Sequence, residues 1–208
     1  MHRTWVEISL ARIAANYRAL RDIAGPDVTV VPVVKADAYR HGAVAVSARL
    51  RKEGASWMAV STSGEGVQLR QGGIDAGILV MGDFAPFECE AFASSGLTPV
   101  IHSLTRLREY DGFARARGSR LPYHLKIDTG MGRLGTRASA SEILEAIAAC
   151  QSLHLEGLMT HFASASDFDS SQTADQAAAF ETVRGSLEAG GVRPPLLHLS
   201  SSAPVAFG

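Results

Sequence analysis

Short β-branched apolar runs alternate along this chain with longer stretches of helical period, which predicts repeated βα units around a mostly parallel sheet. Seven runs read as strands, at residues 28–34, 57–60, 78–81, 98–101, 123–127, 155–160 and 196–199. An opening helix over Leu10–Ala24 precedes them. Ser103 before Leu104–Arg117, and Ser139 or Ser141 before a helix at 142–150, offer hydroxyls that cap free backbone amides. No linker, charge block or low-complexity tract interrupts the pattern, so residues 1–208 read as one domain.

Seven strands in βα succession suit either a doubly wound open sheet or an incomplete TIM-type (β/α)8 barrel. The polar residues decide in favour of the barrel. Lys35, the stretch 128–133, His161 and the serines at 200–202 each follow directly on a strand run, as the βα loops at one face of a barrel would. The last strand run ends just before Gly208, so the expectation is about seven parallel strands, no eighth, and two open edges.

Bulk composition narrows the function. With 46% apolar residues, 20% charged residues and a formal net charge of -1 over 208 residues, the chain can bury a core, and it carries no field that would draw in nucleic acid or an anionic membrane. A small-molecule partner is expected. Cys89 and Cys150 form no metal-ligand spacing, so no metal is expected and they read as buried fillers in a reducing compartment. No apolar run reaches the roughly 18 residues of a membrane helix, and residues 1–5 lack a leader's apolar core. The expected location is the cytoplasm.

Four segments carry chemistry. In VVKADAYRHG, Lys35 ends a buried strand run, where desolvation favours the neutral amine that forms a Schiff base with an aldehyde. Tyr39, His41 and Gly42 add a phenol, an imidazole and a tight turn nearby. In LKIDTGMGRLG, glycines let the backbone approach a ligand, and Arg133 can bind a carboxylate or phenolate through paired hydrogen bonds. GLMTHFASASD ends a strand on His161 and a small polar loop, and RPPLLHLSSSA runs a strand into hydroxyls and free amides suited to phosphate.

In this order the four segments resemble the alanine racemases, pyridoxal-phosphate (PLP) dependent enzymes of fold type III, and the likeness runs from Trp5 to Phe207. The resemblance implies that Lys35 carries PLP and moves a proton on one face of the substrate Cα. It puts Tyr39 beside the cofactor phosphate and Arg133 on the phenolic oxygen and the substrate carboxylate. Lys126 matches a lysine that is carbamylated in many members and steadies that arginine. By the same resemblance His161 would lie under the pyridine ring and link to the second base, Ser202 would bind phosphate, and Ser201 stands where the family has asparagine.

Arg40 replaces a glycine of the family signature. Altered loop packing is expected there, with backbone strain if the position requires a positive φ. The implied activity is interconversion of L- and D-alanine, supplying D-alanine for peptidoglycan. The whole enzyme would be a homodimer whose partner's C-terminal β-domain supplies a tyrosine as the opposite base. That domain lies outside the sequence, so the chain is expected to be a fragment with little activity by itself. Two other readings stay open: a non-catalytic PLP-binding barrel, and a serine or broad-specificity racemase of the same fold. A nucleotide-binding open sheet is disfavoured because no GxGxxG follows the first strand run.

Overall fold

The computed structural model describes residues 4–167 and 169–207. The leader reading of the first three residues and the end of the domain at Gly208 fall outside them. Among the described residues six strands are present: β1 (Trp57–Val60), β2 (Gly77–Val80), β3 (Thr98–Ile101), β4 (Leu121–Lys126), β5 (Leu153–Met159) and β6 (Leu196–His198). They pair in parallel and in chain order.

Parallel neighbours need crossovers, and helices supply them. After α1 (Leu10–Ala24) and α2 (Lys35–Arg40), the chain forms α3 (Ala43–Lys52), α4 (Ser63–Gln71), α5 (Cys89–Ser95) and α6 (Leu104–Arg117). It ends through α7 (Ala140–Ala149), α8 (Gln172–Ala189) and α9 (Ser202–Phe207). The sheet curls into a half-barrel, bringing α9 against α1.

Local sequence sets the helix starts. Ser103 caps α6 by accepting the Arg106 N–H at 3.1 Å. Thr62 and Glu65 form a capping box on α4, and Ser139, not Ser141, does so with Glu142 on α7. That box starts α7 at Ala140, two residues earlier than expected.

The expected strand at 28–34 is not formed, which corrects the count from seven to six. Only Val33 bridges β1, through Ala59 N–H to the Pro32 carbonyl and Val34 N–H to the Ala59 carbonyl, both 2.8 Å. Pro32 has no N–H to extend a ladder, and Val28 and Val33 are exposed. A cleft of about 220 Å³ separates this segment from β6, lined by Val28, Val31, Trp57, Leu196 and His198 among others.

Strand alternation divides the core. Tyr123, Leu125 and Ile127 join the large apolar layer under the helices with Phe92, Tyr110 and Phe180. The inner face is smaller, built on Ala59, Leu79 and Val100 with Trp57 and Met159 beside them. Polar side chains complete it: His124 aligns with Val100 and Gly157, and Lys126 with Met159, which aligns with His198. His124 Nε2–H donates to Glu156 at 3.3 Å, and its ring meets that of His198 at 4.8 Å. Burial drives the His198 imidazole down to about 4.

Candidate active site

The chemically able side chains collect at the C-terminal ends of the strands. Lys35 follows the Val33 bridge directly and is half-buried. The next five residues, Ala36 to Arg40, all have positive φ between 51° and 69°, so α2 is a left-handed helical turn. Left-handed backbone costs L-residues roughly 1–2 kcal/mol each, and surrounding bonds must hold it. Ala38 N–H reaches the Val34 carbonyl at 2.8 Å, and the Asp37 carboxylate accepts the Ala43 N–H at 2.7 Å. His41 Nδ1–H donates to the Ala38 carbonyl at 2.7 Å, so this imidazole braces the turn.

Arg40, at φ 69°, carries the strain anticipated for a non-glycine residue there. Arg40→Gly is therefore expected to stabilise the protein. Relief of the left-handed penalty exceeds the entropy that glycine adds to the unfolded chain, by on the order of 1 kcal/mol, or about 2–4 °C in Tm. A thermal melt that falls instead would show that the arginine side chain contributes more than its backbone strain costs.

The loop after β4 is built around Asp128. Its carboxylate accepts the N–H groups of Gly132 at 2.9 Å and Gly130 at 3.2 Å, and the Arg137 guanidinium at 2.7 Å. Burial opposes its charge, but these donors prevail and hold the carboxyl below its usual range. Gly135, at φ 118°, lets the chain fold back so that Thr136 pairs with Ile127. A Cβ there would lie 2.8 Å from the Asp128 nitrogen. Arg133 projects from this loop, exposed. Beneath it Lys126 is only 5% exposed, and burial and then Arg133 push its ammonium down.

His161 follows β5. Burial lowers it, and Lys126, Arg133 and Lys35 each add to the lowering. These four groups therefore share one electrostatic neighbourhood. Among the described residues, no carboxylate offsets that pressure on His161. The loops are tied by Gln176 of α8, whose amide donates to the Thr129 hydroxyl at 3.3 Å and the His161 carbonyl at 3.1 Å. Its oxygen accepts the Ala163 N–H at 2.8 Å, and Thr129 and Thr160 join their hydroxyls at 2.7 Å.

The remaining expected residues stand at the margin. Tyr39 is 55% exposed on the left-handed turn, and Ser201 and Ser202 are exposed at the start of α9. Among the described residues no hydrogen bond joins them to the cationic group. Sequence reasoning passed over Gln176, Asp128 as a loop organiser, and Glu65, which accepts the Ala36 N–H at 2.7 Å. The Thr-x-x-Glu pattern at 62–65, not singled out in the sequence reading, is a signal for the cap on α4 but not for that second bond.

The chemistry of this donor set suits a ligand with several negative charges and an aldehyde. Two lysines, an arginine and an imidazole, with Asp128 the one carboxylate acting on Lys126 among the described residues, leave a net positive group that favours a phosphate and a carboxylate together.

Comparison with known proteins bears on the chain as a whole. The family model for the alanine racemase N-terminal domain matches residues 8–207. The alanine racemase of Synechocystis sp. is 38% identical over 208 residues, which cover 99% of this chain and 56% of that protein. Among solved structures, the alanine racemase of Clostridium difficile 630 superposes with a TM-score of 0.91 at 33% identity, covering 99% of this chain and 57% of that one. The Bacillus anthracis alanine racemase with bound L-Ala-P gives a TM-score of 0.90 at 32% identity, covering 99% and 53%. The chain spans about half the length of the curated relatives it matches.

Proposed function

This chain belongs to the alanine racemase family through its N-terminal domain, and on that premise we propose that it is the cofactor-binding part of a PLP-dependent racemase that interconverts L- and D-alanine. The observation that carries the reading is the convergence of Lys35, Lys126, Arg133 and His161 at the strand ends. Lys35 would hold the cofactor through its amine. Ser202 and Tyr39 would hold the phosphate, with Ser201 beside them, and Arg133 the phenolic oxygen. When bound, PLP delocalises the charge left on Cα once its proton is removed.

The chain's own residues do the rest. Lys35 Nζ takes and returns the proton on one face of Cα. Arg133 orients the substrate carboxylate, and His161, with its proton affinity lowered by burial and three cations, stays neutral near pH 7 and can accept a hydrogen bond as well as donate one. The depressed basicity of Lys126 favours its free amine. That amine can add to carbon dioxide with loss of a proton, and the resulting carbamate would place an anion beside Arg133. The base for the opposite face belongs to a tyrosine in a partner subunit's C-terminal β-domain, so the working unit is a homodimer. Among the described residues no helix is long and apolar enough to cross a membrane. A cytoplasmic enzyme supplying D-alanine for peptidoglycan is the role that follows.

In the full-length protein, Arg133→Ala is expected to lower kcat/KM for alanine roughly tenfold to hundredfold, the worth of one charge-assisted hydrogen bond. Arg115→Ala, an exposed arginine in the last turn of α6, is the control and should change it less than about twofold. Equal kinetics for the two variants would remove Arg133 from the site.

A further inference from the structure

Lys35 is held by its backbone on both sides, and both anchors come from the same βα unit. Upstream, Val34 N–H donates to the Ala59 carbonyl of β1 at 2.8 Å. Downstream, Ala36 N–H donates to Oε1 of Glu65 at 2.7 Å. The other oxygen of that carboxylate, Oε2, accepts the N–H groups of Ser61 at 2.7 Å and Thr62 at 3.1 Å. A capping-box glutamate ordinarily reaches back to its own cap and no further. Glu65 also bonds to a residue 29 positions away, next to the lysine.

We propose that Glu65 is a positioning residue for Lys35, fixing the amine by tying the backbone after it to the loop that joins β1 and α4. The proposal rests on the reading of Lys35 as the cofactor-carrying lysine. Ala36 opens a left-handed turn, φ 51°, and as an opening residue it has no intrahelical acceptor for its N–H. A charged acceptor on that orphan donor offsets part of the strain. Without it, the turn can relax toward ordinary backbone, rotating the Lys35–Ala36 peptide and swinging the amine away from Arg133, Lys126 and His161.

Two variants separate positioning from capping. Glu65→Gln keeps the shape but has a single oxygen. That oxygen goes to the two donors of Ser61 and Thr62, leaving an NH2 group opposed to the Ala36 N–H. Thr62→Ala removes the hydroxyl that accepts the Glu65 N–H at 3.2 Å and damages the cap without touching Ala36. The probe is PLP itself, titrated into the full-length protein. The readouts are its Kd, the visible circular dichroism per bound cofactor, and Tm.

Glu65→Gln is expected to raise the Kd roughly tenfold, as for one lost charge-assisted bond, and to weaken the dichroism. Thr62→Ala should lower Tm at least as much while leaving Kd and dichroism within about twofold. Glu65→Asp keeps the charge but is one methylene too short to span both sites. It should shift Kd in the same direction, and it serves if the glutamine variant does not fold. A Kd that follows Tm equally in both variants, or that Glu65→Gln leaves unchanged, would overturn the proposal. Cofactor found on another lysine of the unmodified protein would overturn the Lys35 assignment and this proposal with it, and that result is seen before any variant is made.

Discussion

Lys35→Ala in the full-length protein is expected to abolish covalent retention of PLP and to reduce alanine racemisation by at least roughly a thousandfold, the scale of removing a positioned acid–base group. One amine would be lost from two tasks, holding the cofactor and moving the Cα proton. The fold should survive. Among the described residues the Lys35 side chain makes no hydrogen bond or ion pair, and the turn beside it is held by backbone groups, Asp37, His41 and Glu65. Tm should therefore move by less than the equivalent of about 0.5 kcal/mol. PLP that stays bound through gel filtration of the variant, with activity within tenfold of the parent, would place the chemistry on another residue.

The largest effect on stability is expected at Gly157. A Cβ there would lie 2.5 Å from His124 Nδ1 and 2.7 Å from two ring carbons. The His124 ring cannot retreat, being fully buried with Trp57 at 5.7 Å and His198 at 4.8 Å. Gly157→Ala should destabilise by about 1–3 kcal/mol as overpacking of a filled core. Gly112→Ala is the matched control, in the middle of α6 with nothing within 4 Å of the added atom. It should stabilise by about 0.5–1 kcal/mol, since alanine is the better helix former. Thermal melts moving in opposite directions bear out the packed inner face, and a neutral Gly157→Ala would show that face to be loose.

Those packing facts were only partly legible in the sequence. The β-branched and apolar runs at Trp57–Val60 and Thr98–Ile101 are strands with the bounds their pattern predicts. The run at 28–34 has similar composition, yet it lies beside one neighbour only and Pro32 removes a donor, so composition promised a ladder that pairing could not build. The left-handed turn was hidden for another reason. Ala36, Asp37, Ala38, Tyr39 and Arg40 include no glycine and three strong helix formers, so they read as right-handed helix or loop, and only the family's glycine at position 40 hinted at a positive φ.

For the candidate site, Lys35 and His161 stood out as polar residues where apolar runs stop, Arg133 by its glycine-rich loop, and Lys126 only through the family resemblance. Their supports did not. Glu65 and Gln176 act on partners 29, 47 and 15 residues away, separations that no local pattern encodes. His124, which the sequence reading did not single out, shares the inner face of β4 with Lys126. Its partner Glu156 depends on the shift in register between Tyr123 and His124, which only the folded sheet reveals.

The central claim is that Lys35 carries the cofactor, and borohydride reduction of the PLP-loaded full-length protein followed by peptide mass mapping tests it most directly. The account predicts a reduced pyridoxyl group on the peptide containing Lys35, with Lys126 and Lys52 unlabelled. Label on another lysine with Lys35 unmodified would contradict it.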